Sequence, residues 1–250
     1  MRINIAIDGP SAAGKSTIAK SLAKQLNYIH LDTGAMYRST AYKAVQNQIS
    51  LEDENALVEM LKNTDITLTP EGKVFLDGED VSSSIRTDQI SLAASSVSKH
   101  PLVRSELVAR QQKMAEKKGF IMDGRDIGTV VLKDAEVKIF MTASAEARAK
   151  RRYEQDKKLG LPTTDVETIA KEIAQRDYQD THRTASPLVK ADDAVEIDTS
   201  DMTIEEVVNA ILNIDQINEE YKERYEEFYK RFCCYDDGNA SKHIVEEVFK

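Results

Sequence analysis

Ile5-Ala6-Ile7-Asp8-Gly9-Pro10-Ser11-Ala12-Ala13-Gly14-Lys15-Ser16-Thr17 is the stretch on which the fold turns. The run from Ile3 to Asp8 is short, apolar and stopped by Gly9-Pro10, which reads as a buried strand. Residues 14–26 then set Ile18, Leu22 and Leu26 on one helical face. Between strand and helix, Gly9 to Ser16 meets the pattern G-x-x-x-x-G-K-[ST] without a mismatch. The chemistry needs those residue types at that spacing. Gly9 and Gly14 let the backbone curl until successive N–H groups face one anion. The helix that follows adds its positive N-terminal end. Lys15 is expected to span the β- and γ-phosphates of a bound nucleotide, and Ser16 to offer its hydroxyl to Mg²⁺. A chance match in a glycine-containing loop would lack the flanking strand and helix.

Outward from this loop the chain alternates strands and helices. Strand-like runs lie at Tyr28–Asp32, Gly119–Asp123, Val137–Met141 and Ala194–Ile197. Helical patterns fill residues 33–48, 88–98, the segment opened by Pro101, residues 145–183, and Ile204 to Leu212. Ile66-Thr67-Leu68-Thr69, Pro70-Glu71-Gly72 and Lys73-Val74-Phe75-Leu76 predict a small inserted hairpin. The fold class is therefore α/β, with a parallel sheet covered on both faces.

The 250 residues suffice for one large α/β domain with insertions, or for two small domains. The formal net charge of −9 makes the chain a poor general binder of nucleic acid polymers, which call for excess Lys and Arg. Phosphate recognition is then expected in local clusters and toward small ligands. The two cysteines, Cys233 and Cys234, are adjacent and form no disulfide framework or zinc spacing. No signal peptide and no apolar run of roughly 18 residues is apparent, so the expectation is a cytoplasmic protein without membrane contact. Ile214, Ile217, Tyr221, Tyr225, Phe228 and Phe232 stripe an acidic tail at 3- and 4-residue steps. That stripe reads as a helix packed on its own domain, with a dimer or partner surface as the alternative.

The P-loop implies a nucleotide but not a reaction. No Asn-Lys-x-Asp of a guanine-reading GTPase is present, and no second large domain of a motor, which leaves the small-molecule kinases. The acceptor side has three candidate elements. Asp32-Thr33-Gly34-Ala35-Met36-Tyr37-Arg38 follows the second strand, where Thr33 is expected to cap a helix and Arg38 to reach a bound phosphate. Asp123-Gly124-Arg125-Asp126-Ile127-Gly128-Thr129 follows another strand, with Asp123 facing the metal of the P-loop. Ile169, Ile173, Arg176, Asp180 and Arg183 share one face of a helix expected to be continuous, which suits a lid. Arg148, Arg151 and Arg152 crowd the helix before it.

With Ile7-Asp8-Gly9-Pro10-Ser11, Leu31-Asp32-Thr33-Gly34-Ala35-Met36-Tyr37-Arg38 and Asp123 to Val131 in order, the chain resembles the bacterial cytidylate kinases up to about residue 214. The resemblance implies a nucleoside-monophosphate kinase fold: a parallel five-stranded core, an enlarged monophosphate-binding insertion and a short lid. On that pattern the kinase domain spans 1–214 (core 1–61, 99–147 and 190–214; insertion 62–98; lid 148–189), and 215–250 is a helical tail. It implies ATP on Gly9, Pro10, Ser11, Ala12, Ala13, Gly14, Lys15, Ser16 and Thr17, with Mg²⁺ on Ser16. It implies CMP or dCMP on Thr33, Tyr37, Arg38, Ser95, Arg104, Arg125, Asp126, Arg176, Asp180 and Arg183. Ser95, Arg104 and Asp126 would read cytosine. Arg38 and Arg125 would hold the acceptor phosphate. Lys15, Arg125, Arg176 and Arg183 would be catalytic, in a direct in-line transfer by a monomer with a tail contact as the alternative. Another acceptor, such as UMP, is the nearest rival. A nucleotide-switched binding protein, with the tail as its partner surface, is the rival from a different class.

Overall fold

The structure, a computed structural model, describes residues 2–69, 72–158, 160 and 164–214. Pro70, Glu71, the tail stripe beyond Ile214, and Cys233-Cys234 lie outside the described residues.

β1 (Ile5–Asp8) is buried along its length. The chain then curls into α1 (Lys15–Leu26), which starts after a left-handed Gly14 (φ 91°) and stops at a left-handed Asn27 (φ 53°). β2 (Ile29–Asp32) leads into α2 (Thr33–Gln46), and α3 (Glu54–Lys62) follows, capped by Asp53, which accepts the Ala56 N–H. The helical pattern read from sequence omitted α3. Only Leu57, Met60 and Leu61 of its nine residues are buried, a stripe too short to stand out.

The insertion is a sheet of three strands rather than a two-stranded hairpin: β3 (Ile66–Leu68), β4 (Val74–Leu76) and β5 (Glu79–Asp80), all antiparallel. Both residues of β5 are exposed, so it carries no alternation to detect. A 3₁₀ turn at Ser84–Arg86 leads to α4 (Asp88–Val97) and to α5 (Pro101–Ala115), which begins with its proline as expected. β6 (Phe120–Gly124), a π-helical turn at Ile127–Val131, β7 (Val137–Thr142), α6 (Ala145–Lys158), α7 (Val166–His182), β8 (Val195–Asp198) and α8 (Ile204–Leu212) complete the order. The described residues 205–214 belong to a separate unit, in which Val207, Val208 and Ile211 of α8 are buried. No helix among the described residues is long and apolar enough to cross a membrane.

The main sheet has five parallel strands in the order β2-β6-β1-β7-β8. The chain moves from β1 out to β2, returns to β6, then crosses to β7 and β8. Its direction reverses about β1, and a crevice outside the strand ends at such a point is where ligands of open α/β sheets bind. Register brings acids to that end, with Asp8 beside Gly124 and Asp32 beside Asp123.

One core joins the sheet to the insertion. Leu31, Met36, Leu57, Leu61, Leu107 and Met122 share a cluster with Ile66, Val74, Val81 and Ile85. Each fully buried aliphatic chain contributes roughly 1.5–3 kcal/mol, so the inserted sheet is anchored by apolar contact to α2, α3 and α5. A smaller cluster of Ala149, Ile169 and Ile173 closes α6 on α7, with Ala12 of the glycine loop and Tyr153 packed against it.

Two expectations are corrected. Asp32, not Thr33, caps α2: its Oδ1 accepts the Ala35 N–H at 3.0 Å. A carboxylate there suits the positive helix end, and Thr33 is the first helical residue. Arg183 does not share the helical face of Arg176 and Asp180. It is the C-cap of α7 with extended backbone (φ −66°, ψ 143°), so its side chain leaves from a loop.

Candidate active site

The glycine loop is held from several directions. Gly9 has φ 147°, and a Cβ there would collide with the carbonyl oxygen of Met141, so a side chain is excluded. Pro10, Ser11, Ala12 and Ala13 carry the loop to Gly14, and Thr17 N–H donates back to the Gly14 carbonyl at 3.0 Å. Lys15 is buried and donates to the Pro10 carbonyl at 2.6 Å. Burial, then the Arg125 charge, lowers its pKa to about 7. Arg148 of α6 donates to the carbonyls of Ser11 (3.0 Å) and Ala143 (2.9 Å) and pairs with Asp177 of α7 at 2.6 Å. The loop, the end of β7 and the α7 helix thus meet in one guanidinium.

Acids at the strand ends organise the other wall. Asp8 accepts the N–H groups of Ile127 (2.8 Å) and Gly128 (2.7 Å), fixing the π-helical turn against β1. Burial raises Asp8 to about 6 against those two hydrogen bonds. Ser16 Oγ donates to Asp123 Oδ2 at 2.7 Å, and His30 Nε2 lies 2.6 Å from Asp123 Oδ1. Thr33 Oγ1 donates to the Asp123 carbonyl at 2.8 Å. A Cβ on Gly124 would press on Ile127 and that Thr33 oxygen, so the close approach needs glycine.

The acceptor-side residues fall into two groups. In one, Arg104 of α5 is buried, pairs with Asp126 and donates to the Ser98 carbonyl at 3.2 Å. Its guanidinium lies 5.4 Å from the ring centre of Tyr37, whose hydroxyl burial pushes up to about 12. Arg183 Nη2 stands 3.9 Å from Asp126 Oδ1, while its Nε donates to the Ser186 carbonyl at 2.6 Å. Ser186 Oγ also accepts from Arg104 Nε at 3.3 Å.

In the other group, Arg125 Nε donates to Asp180 Oδ2 at 2.8 Å, and the guanidinium holds that carboxyl below its usual range against burial. Arg176 is half-buried, and burial with the charges of Arg125, Arg38 and Arg152 presses it down to about 10. Arg38 donates to Asp32 Oδ2 at 2.7 Å, and its buried Nε has no hydrogen-bond partner. Arg183 Nη2 likewise has none. Ser95 is half-buried on α4, and its carbonyl accepts the Ser98 hydroxyl at 2.9 Å. Among the described residues, no hydrogen bond joins the Ser95 side chain to Asp126, Arg104 or Arg183.

Sequence reasoning missed His30, Ser186 and the Arg148–Asp177 link. Arg148 was noted only as part of a basic helix. Nothing local marks His30 or the Arg148–Asp177 link, because their partners lie far along the chain, and the Ser186 hydroxyl meets Arg104, 82 residues away.

A phosphate-cradling loop on a parallel sheet, faced by arginines from α2, α5, the loop after β6 and the α7 helix, defines a P-loop small-molecule kinase. The profile of the family described as Cytidylate kinase matches residues 5–217. Cytidylate kinase of Geobacillus sp. (strain WCH70) is 55% identical over 215 residues, 85% of this chain and 96% of that protein. That of Bacillus subtilis (strain 168) is 55% identical over 84% of this chain and 95% of its own length. That of Ligilactobacillus salivarius (strain UCC118) is 53% identical over 85% and 96%. The chain belongs to the cytidylate kinase family. A second profile, described as CDP-Glycerol:Poly(glycerophosphate) glycerophosphotransferase, matches residues 200–250.

Proposed function

We propose that this chain transfers the γ-phosphoryl group of ATP to CMP and dCMP, giving CDP and dCDP, by direct in-line displacement. The observation that carries the reading is Asp126, buried between Arg104 and Arg183 beside Tyr37. A carboxylate acceptor favours the N4 amino group of cytosine and leaves the O4 of uracil without a donor. Arg38 and Arg183 each retain a buried N–H group with no hydrogen-bond partner, as groups awaiting phosphate oxygens would. In this reading Arg38 and Arg125 hold the acceptor phosphate. Arg176, Asp180 and Arg183 contact the sugar and the transferring group. Ser95 and Arg104 help read the base.

The donor side rests on Gly9–Thr17 and Lys15. Arriving phosphates would favour the charged form of Lys15, against the burial that lowers its pKa. The Ser16 hydroxyl and the Asp123 carboxylate, 2.7 Å apart, fit Mg²⁺, which takes one or two carboxylates and fills its shell with water and substrate phosphate. Bound there, Mg²⁺ would neutralise charge on the β- and γ-phosphates. No cluster of three or more His, Cys, Asp or Glu that could hold a metal by itself occurs among the described residues. An acceptor phosphate is already ionised near neutral pH, so no general base is needed. The residues position and exclude water.

An ADP-release assay with each nucleoside monophosphate tests the reading. Turnover with CMP and dCMP but little with UMP or AMP is expected. Turnover confined to UMP would keep the mechanism and remove Asp126 from base reading.

The match at residues 200–250 favours a second reading of that segment. A transferase that moves glycerophosphate from CDP-glycerol releases CMP, the acceptor proposed here. The segment would link the kinase to such an enzyme and return its CMP to CDP. Deleting residues 215–250 should leave CMP phosphorylation intact and abolish association with a CDP-glycerol-consuming transferase. Unchanged association would remove the link.

A further inference from the structure

The phosphoryl-transfer scheme uses Asp123 and Ser16 but does not account for the buried histidine beside them. His30, on the edge strand β2, has a side chain only 4% exposed, and its Nε2 lies 2.6 Å from Asp123 Oδ1. The other carboxylate oxygen, Oδ2, receives the Ser16 hydroxyl at 2.7 Å. Asp123 is thus held from both sides, by the sheet edge through His30 and by the glycine loop through Ser16. A carboxylate only accepts, so Nε2 is the ring nitrogen that carries the proton. A hydrogen bond of this kind, buried and charge-assisted, is among the stronger ones.

We infer that His30 is a positioning residue for the metal·nucleotide site: it fixes Asp123 Oδ1 so that Oδ2 stays aimed at Ser16 and the cation. The inference rests on the reading of Ser16 and Asp123 as the Mg²⁺ residues. Sheet geometry supports it. Asp32 pairs with Asp123 across β2 and β6, so His30, two residues before Asp32, shares the face of Asp123. The Thr33 hydroxyl holds the Asp123 backbone from the same connection, at 2.8 Å. A histidine that only filled the core would be satisfied by any acceptor. This one is spent on the carboxylate that the metal needs.

Mn²⁺ in place of Mg²⁺, with a non-hydrolysable ATP analogue, gives a binding readout by electron paramagnetic resonance that does not depend on turnover. His30→Leu keeps the volume and loses the donor, and should weaken Mn²⁺ binding in the presence of the analogue by about tenfold. His30→Gln places an amide N–H near the Nε2 position and should stay within about threefold of the parent. In assays the half-saturating Mg²⁺ should rise with His30→Leu, while the KM for CMP moves less than twofold. Parent-like Mn²⁺ binding by His30→Leu would overturn the inference. So would failure of His30→Gln to restore it, or a change confined to the KM for CMP. Should His30→Leu fail to fold, His30→Asn takes its place, since its shorter amide falls short of Asp123. If the parent enzyme itself shows no nucleotide-dependent Mn²⁺ binding, the reading of Ser16 and Asp123 fails instead.

Discussion

Asp126 and Arg176 make separable demands on the chemistry. Asp126 is neutralised by Arg104 and faced by Arg183, so changing it to Asn keeps the shape and turns one acceptor oxygen into a donor. Asp126→Asn should narrow the preference for CMP over UMP in kcat/KM by at least about tenfold, because base discrimination of this kind rests on unpaired polar groups. A preference that stays put in the acceptor assay would mean cytosine is read elsewhere. Arg176 has a different signature. Its charge is destabilised by burial and by Arg125, Arg38 and Arg152, a state that an incoming phosphate relieves. Arg176→Ala should lower kcat on the order of 10³-fold with the fold intact, the range typical of an arginine that meets the transferring group. Near-parental kcat would remove it from the mechanism. The P-loop residues and Asp126 could be picked out from sequence because motif neighbours surround them. His30 could not, since its partner Asp123 is 93 residues away. Nor could the cap of α2, where Asp32 and Thr33 are adjacent and both able to cap; Asp32 takes the Ala35 N–H while the Thr33 hydroxyl goes to the distant Asp123 carbonyl.

Helices and strands were legible where burial wrote a period into them, and not elsewhere. β1 and α1 follow from their apolar spacing, and Pro101 announced the start of α5. β5 is two exposed residues, and the π-helical turn at Ile127–Val131 depends on Asp8 capturing two backbone N–H groups from another strand. The end of α7 was misread because the 3- and 4-residue spacing continues to Arg183 while the backbone turns extended there. Coupling between elements is where Arg148 matters. It links α6 to the Ser11 carbonyl, to the Ala143 carbonyl and to Asp177 of α7. Arg148→Met should therefore loosen α7 from the glycine loop. The expected result is a kcat for CMP lowered about tenfold and a raised ratio of ATP hydrolysis to CMP phosphorylation, since a lid that closes poorly admits water. Equal coupling of ADP release to CDP formation in parent and variant would show that the link serves stability alone.

Across the molecule, the net charge of −9 coexists with a site that gathers Arg104, Arg125, Arg176 and Arg183 about Asp126 and Asp180, and the acids near it are shifted in different directions. Asp8 is the clearest case, because its shift runs opposite to that of a paired carboxylate. Burial raises it from 3.8 to about 6, with Asp126 adding to the rise and Lys15 and the Ile127 and Gly128 N–H groups opposing it. Between those two values the folded chain binds more protons at this group than the unfolded chain does. Its contribution to stability is therefore favourable at the acid end and is lost as pH rises from 3.8 toward 6, at up to about 1.4 kcal/mol per pH unit. Asp8→Asn has no proton to exchange, and its single acceptor oxygen leaves one of the two N–H groups poorly paired, a cost independent of pH. Urea unfolding of both proteins at pH 4.5, 5.5 and 6.5, followed by tyrosine fluorescence, separates the two effects. The stability of the variant relative to the parent should improve by about 1–3 kcal/mol over that range, whatever its starting offset. A relative stability that stays flat, or worsens as pH rises, would mean that Asp8 titrates as an ordinary exposed carboxylate or as a stabilised one.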